Sequence, residues 1–120
     1  MTTPMPNPGF IYKICTAETF AAAGSAGIFT GMPIDDRDGY IHFSTASQLA
    51  DTLRLHFAGQ GVVVFGVRSA DVAANLRWEP SRGGQLFPHL YGGFPVSIIA
   101  WHALVEVNQD GSVNLPAEVV

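Results

Sequence analysis

Apolar and polar positions along this chain change period several times, and each change marks an element. Phe10-Ile11-Tyr12-Lys13-Ile14-Cys15 is rich in β-formers and predicts a strand. Thr16 follows as a helix N-cap, and Glu18 falls in the first turn, where the helix dipole favours an anion. Thr19 to Ala23 then predict a short helix stopped by Gly24. Ser25 to Gly39, rich in Gly, Pro and Asp, reads as a long loop, and loops of that length in a compact domain are often functional. Tyr40 to Phe43 predicts a strand. Thr45 and Gln48 match a capping box, and Leu49, Leu53 and Phe57 recur at helical spacing, so Ala46 to Phe57 is a helix ended by Gly59 and Gly61. The unbroken run Val62 to Val67 predicts a buried strand. Ser69 caps a short helix to Asn75, and Leu76 to Glu79 forms a brief strand. A polar, Gly/Pro-rich stretch runs from Pro80 through Pro95. Ile98 to Val107 is a long strand, and Asp110-Gly111 is a hairpin signal leading into Ser112 to Leu115.

Strands interrupted by short helices, without repeat, linker or low-complexity tract, define one α+β domain over residues 10–120 with a mostly antiparallel sheet. A proline-rich N-terminal arm over residues 1–9 is expected to be flexible. The 120 residues, 48% apolar, suffice for a core without staples. A net charge of -4, with only six basic residues and no cluster of them, argues against a nucleic-acid partner. No apolar run approaches bilayer length, and the first residues lack a signal-peptide pattern. Cys15, alone in an apolar pattern, reads as a buried thiol in a reducing compartment, so a soluble cytoplasmic protein is the expectation.

Charge changes the picture because there is so little of it. Only 13% of residues are charged, yet two short windows, Asp38 to Thr45 and Arg77 to Gly92, gather two of the four histidines, Glu79 and Arg82. Tyr40, His42 and Ser44 alternate along a predicted strand and so share its polar face, opposite Ile41 and Phe43. That face is either the floor of a cleft covered by the Ser25–Gly39 loop, or a set of ordinary capping and loop contacts. Glu79 is either a surface partner of Arg77 or Arg82, or a working carboxylate at a strand end. Arg82-Gly83-Gly84 offers a cation and freely shaped backbone to an anion, without a Walker or dinucleotide glycine pattern. His89 and Tyr91 place an imidazole and a phenol in a loop, where function often resides. No metal site is expected, because His42, His56, His89 and His102 are scattered. Asp35-Asp36-Arg37-Asp38-Gly39 lacks calcium-loop spacing and reads as an Asx-type turn. Ser44 lacks an esterase elbow, and His56 and His102 read as structural.

Asp38-Gly39-Tyr40-Ile41-His42-Phe43-Ser44-Thr45 with Gln48, then Leu76-Arg77-Trp78-Glu79 and Phe87-Pro88-His89-Leu90-Tyr91, resemble the bacterial family called domain of unknown function 952. Ile11 to Ile14 and Gly27 to Gly31 fit as well, so the likeness runs roughly from Phe10 to Val107. The resemblance implies an ADP-ribosyltransferase-like fold, with two small antiparallel sheets split around a nicotinamide-binding cleft and short flanking helices. It further implies NAD as a candidate cofactor and an ADP-ribosyl-transfer or glycohydrolase-like activity. His42, Ser44 and Glu79 would then be catalytic, Glu79 holding a ribose hydroxyl, with Tyr40, Arg82, His89 and Tyr91 binding substrate. Fold analogy alone carries little functional weight. Two other readings stand beside it. One is a non-catalytic module for a nucleotide or other small anion; the other is a protein-interaction domain using Phe87, Leu90, Tyr91 and Phe94.

Overall fold

A computed structural model describes residues 9–119. The expected arm over residues 1–9 therefore lies outside the described residues except for Gly9. Among the described residues, eight strands and three α-helices follow in the order β1 (Phe10–Cys15), α1 (Ala17–Ala26), β2 (Ile28–Phe29), α2 (Pro33–Asp38), β3 (Ile41–His42), α3 (Ala46–Phe57), β4 (Gly61–Arg68), β5 (Leu76–Pro80), β6 (Leu86–Leu90), β7 (Phe94–Pro95) and β8 (Ile99–Glu106). The strands form antiparallel sheets in the orders β1-β4-β8, β2-β7 and β3-β6-β5. A bridge from Tyr12 to Ser44 stitches β1 to the chain just after β3, with both backbone bonds at 2.8 Å.

Alternation along β1 and β4 divides the core. Tyr12, Ile14, Val62 and Val64 pack with Leu49 and Leu53 of α3 on one side of the central sheet. Ile11, Cys15, Val63, Phe65 and Val67 pack on the other side with Phe29, Ile41, Phe43, Leu90 and Phe94. Burying each such side chain contributes about 1.5–3 kcal/mol. Strand β4, paired on both edges and buried from Val62 to Val67, is read from its sequence without ambiguity.

The elements depart from the sequence expectations in five places. Helix α1 runs through Gly24 and ends at Ala26, because Gly27, at φ 80°, supplies the left-handed cap and its N–H bonds Ala23 O. The expected loop from Ser25 to Gly39 contains β2 and α2, the latter begun by Pro33 and stopped by Gly39. Gly31 is required ahead of α2: it sits at φ 114°, and a Cβ there would lie 2.9 Å from that of Asp35. The stretch from Pro80 to Pro95 contains β6, the central strand of its sheet. The Asp110-Gly111 turn forms, but residues 112–115 make no strand; Val113 and Leu115 instead pack onto the α3 side of the core. The short helix after Ser69 is a 3-10 turn, Ser69–Asn75.

Candidate functional site

The register of the β3-β6-β5 sheet creates the site. His42 pairs with His89, and His89 pairs with Arg77. Side chains alternate across a sheet, so Arg77, Glu79, Phe87, His89 and His42 share one face, while Leu76, Trp78, Leu90 and Ile41 turn toward the core. The two polar windows of the sequence thus meet. Their imidazole centroids lie 5.6 Å apart.

Beside this face is a cleft of about 250 Å³. Its polar lining includes His42, Ser44, Thr52, His56, Arg82 and His89, and Met32, Ile34, Phe57 and Phe87 supply apolar walls. Met32 and Ile34 come from the stretch expected to cover the cleft. Four residues expected in the site therefore line it: His42, Ser44, Arg82 and His89. Glu79, Tyr40 and Tyr91 are not in the lining; Glu79 and Tyr40 touch its residue His89, and Tyr91 is joined to it through those two. Tyr40 stacks on His89 at 4.1 Å between centroids, and Tyr91 lies 5.4 Å from Tyr40.

His89 is 3% exposed, and its Nδ1 lies 2.8 Å from Glu79 Oε1. The same oxygen accepts from Tyr91 Oη at 2.6 Å. Hydrogen bonds from Tyr91 and then His89 hold the Glu79 carboxyl below its ordinary range, and the same bond pushes the Tyr91 phenol up. Among the described residues His89 Nε2 has no partner, whereas every fully buried side-chain nitrogen or oxygen has one. Nε2 is therefore not fully buried, and His89 is one of the residues that line the cleft.

His42 is held differently. Asp35 accepts from its Nδ1 at 2.6 Å and from its backbone N–H at 3.0 Å, while Asp38 Oδ2 lies 2.9 Å from Nε2. Asp35 also accepts from Met32 N–H at 2.6 Å and pairs with Lys13 at 2.9 Å. Burial alone would raise the Asp35 carboxyl, but bonds from His42, the Lys13 charge and the Met32 N–H together bring it to about 2. Burial pushes the Lys13 ammonium down, and Asp35 opposes that shift. The Lys13 ammonium donates to Asp35 Oδ1 at 3.1 Å and to His42 O at 2.9 Å. The Asp35 segment is thus a buried anchor that ties α2, β1 and β3 together.

Arg82 enters from the β5–β6 turn. Its guanidinium lies 5.0 Å over Phe87 and donates to Thr52 Oγ1 from both terminal nitrogens at 3.3 Å. Lys13, Arg37 and Arg54 stand in ion pairs, whereas Arg82 has no carboxylate partner among the described residues. Sequence reasoning missed Thr52 and His56 of the lining, although Gln48, Thr52 and His56 recur every fourth residue on one side of α3. Lys13 and Asp35 carried no signal beyond an ion in an apolar strand and an acid in a turn. His102 lies away from the cleft, 4.7 Å from the Phe20 ring. Cys15 is buried as expected, and burial pushes its thiol up to about 11.

The model of the family described as "protein of unknown function (DUF952)" matches residues 14–102. The chain belongs to that family. It is similar to protein CC0527 of Caulobacter crescentus, whose crystal structure aligns with a TM-score of 0.82 at 37% identity, covering 88% of this chain and 93% of that one. The solution structure of the same protein aligns at 0.77 with the same identity, covering 88% and 91%. Among curated proteins none matches.

Proposed function

We propose that the cleft binds a small phosphorylated or otherwise anionic metabolite and that His89 exchanges a proton with it. The observation that carries this is the state of His89, a lining residue of the cleft: Nδ1 is fixed on Glu79 at 2.8 Å, and among the described residues neither Nε2 nor the Arg82 guanidinium of the same lining has a carboxylate partner. A carboxylate that fixes one ring nitrogen sets the tautomer and leaves the other nitrogen as the working base. Arg82 supplies the charge that an anionic ligand needs in such a place.

The finer reading is NAD glycohydrolysis or ADP-ribosyl transfer, supported by the resemblance to the ADP-ribosyltransferase-like fold and by the split arrangement of the sheets. In that reaction the ribose–nicotinamide bond breaks, nicotinamide leaves with the electron pair, and water or an acceptor hydroxyl adds to the sugar carbon. His89 takes the proton the nucleophile sheds, and Arg82 faces the pyrophosphate. Glu79 lies outside the cleft lining and spends Oε1 on His89 and Tyr91, so it fits better as the positioning residue for His89.

Calorimetry with NAD and ADP-ribose, followed by an assay for released nicotinamide, tests the reading. Glu79→Gln should lower turnover about a hundredfold while KM changes little, because loss of the orienter degrades proton transfer and not binding. No heat of binding at millimolar NAD, ADP-ribose or phosphate would sink it. A second reading, a binding module without turnover, is favoured by His42: both its nitrogens lie within 2.9 Å of carboxylates, so its imidazole is not free to act as a base. Under that reading the ligand stabilises the fold, no product forms, and Glu79→Gln binds nearly as well as the unaltered protein.

A further inference from the structure

The cleft uses one end of the polar sheet face and leaves the other end unassigned. Phe87, His89 and Tyr91 occupy every second position along β6 and its exit, at intervals of about 7 Å. The Arg82 guanidinium covers Phe87 at 5.0 Å, and the Arg77 guanidinium covers Tyr91 at 5.6 Å. Arg77 is exposed, sits directly opposite His89 in the sheet, and has no carboxylate partner within ion-pair distance among the described residues. Tyr91 is 39% exposed, yet its hydroxyl is fixed on Glu79 at 2.6 Å and Tyr40 supports its ring at 5.4 Å. An aromatic held this firmly loses little freedom on meeting a ligand.

We propose that Arg77 and Tyr91 form a stacking shelf for a planar heterocyclic ring, carried by the same ligand whose anionic group enters the cleft. The inference rests on the reading of the cleft as an anion site. Electrostatics select a ring over a second anion here. The Glu79 carboxylate, within 2.6 Å of the Tyr91 hydroxyl, repels an anion, whereas guanidinium and phenol planes both accept a stacked ring. Size points the same way. A cleft of about 250 Å³ is smaller than the roughly 300–1,000 Å³ of pockets that enclose drug-sized ligands, so a nucleotide-sized molecule must lie partly outside it. The backbone positions of His89 and Tyr91 are about 7 Å apart, with Glu79 and the Tyr40 ring between their side chains, so the sugar that joins the two parts of the ligand passes over Tyr40. The ligand class is therefore a base–ribose–phosphate unit, with phosphate between Arg82 and His89 and the base on Tyr91.

Calorimetric titration of inorganic phosphate, ribose 5-phosphate and AMP separates the two parts of the site. AMP should bind ten- to a hundredfold more tightly than ribose 5-phosphate, the margin expected for stacking one base. Arg77→Ala should remove most of that margin without changing ribose 5-phosphate affinity, and Tyr91→Leu should remove it as well. Arg82→Ala should weaken both ligands. A nuclear Overhauser contact between the adenine protons and the Tyr91 ring should accompany binding. Equal affinity for AMP and ribose 5-phosphate, or a margin that survives both shelf substitutions, overturns the shelf and leaves the cleft reading standing. Failure of all three probes to bind overturns the cleft reading and the shelf with it.

Discussion

Asp35 is the residue on which the geometry of the cleft wall turns. It is 2% exposed and receives donors from three parts of the chain: Lys13 of β1, Met32 ahead of α2, and His42 of β3. Removing the charge while leaving its partners buried should cost about 3–5 kcal/mol, so Asp35→Asn is expected to lower stability by that amount in urea melts at pH 7. The pH dependence carries a second signature. Its carboxyl is held at about 2 in the folded chain, below its ordinary value, so it contributes about 2 kcal/mol that is complete above roughly pH 5. That contribution disappears as the pH falls through 2. Melts between pH 5 and 2.5 should therefore show a steeper loss for the unaltered protein than for Asp35→Asn. Parallel profiles would mean that Asp35 is not the charged anchor described.

At the scale of elements, two glycines of α1 make opposite predictions from nearly the same sequence context. Gly24 lies inside the helix with nothing within 4 Å of an added Cβ, so Gly24→Ala should stabilise by about 0.5–1 kcal/mol. Gly27 holds the left-handed cap at φ 80°, so Gly27→Ala should cost about 1 kcal/mol although the space around it is equally open. Thermal melts of the two variants should move in opposite directions. The pair also explains what could be read from the chain. The span of α3 was legible because its cap and apolar repeat agree: Gln48 Oε1 accepts from Thr45 N–H at 3.0 Å, and Leu49 and Leu53 are fully buried. The end of α1 was not, since a glycine is a plausible stop at either position and only tertiary packing decides. Strand β6 was hidden by Pro88, which cannot donate to a ladder. Pro88 is tolerated in a central strand because its carbonyl faces Phe43, just where β3 has ended, so the missing donor falls beside a strand only two residues long. Losing β6 from the reading made His89 look like a loop residue, whereas Tyr91, just past the strand, is one. Their convergence with His42 was foreseeable only from composition, as a gathering of scarce polar groups. The pairing that brings it about is a matter of register, which local pattern does not encode. The apolar surface expected from the same stretch is absent for a related reason: Phe87, Leu90 and Phe94 are 6%, 2% and 3% exposed, leaving Tyr91 alone at the surface.

For the molecule as a whole, the cleft lies where two layers are clasped together. Gln48 of α3 donates from Nε2 to Leu86 O of β6 at 2.8 Å, and Arg82 from the β5–β6 turn reaches Thr52 of α3 at 3.3 Å. These clasps join the helix packed on the β1-β4-β8 sheet to the separate β3-β6-β5 sheet, which the backbone links to it by the bridge at Ser44. A ligand seated between Arg82 and His89 therefore braces both layers at once and should stabilise the global fold, not a local loop. At a hundredfold excess over Kd the gain is about 2.7 kcal/mol, which for a domain of this size raises Tm by roughly 10 °C. Arg82→Ala gives up two hydrogen bonds of 3.3 Å and a cation–π contact at a half-buried site, so its Tm without ligand should fall by only a few degrees. Its response to phosphate-bearing ligands should vanish, and the response of the unaltered protein should weaken as salt rises, since the anion is drawn by charge. Differential scanning calorimetry of both proteins, with and without ligand at low and high salt, makes the comparison. A ligand response that survives in Arg82→Ala, or that is indifferent to salt, would remove the cation from the site and with it the reason for expecting an anion there.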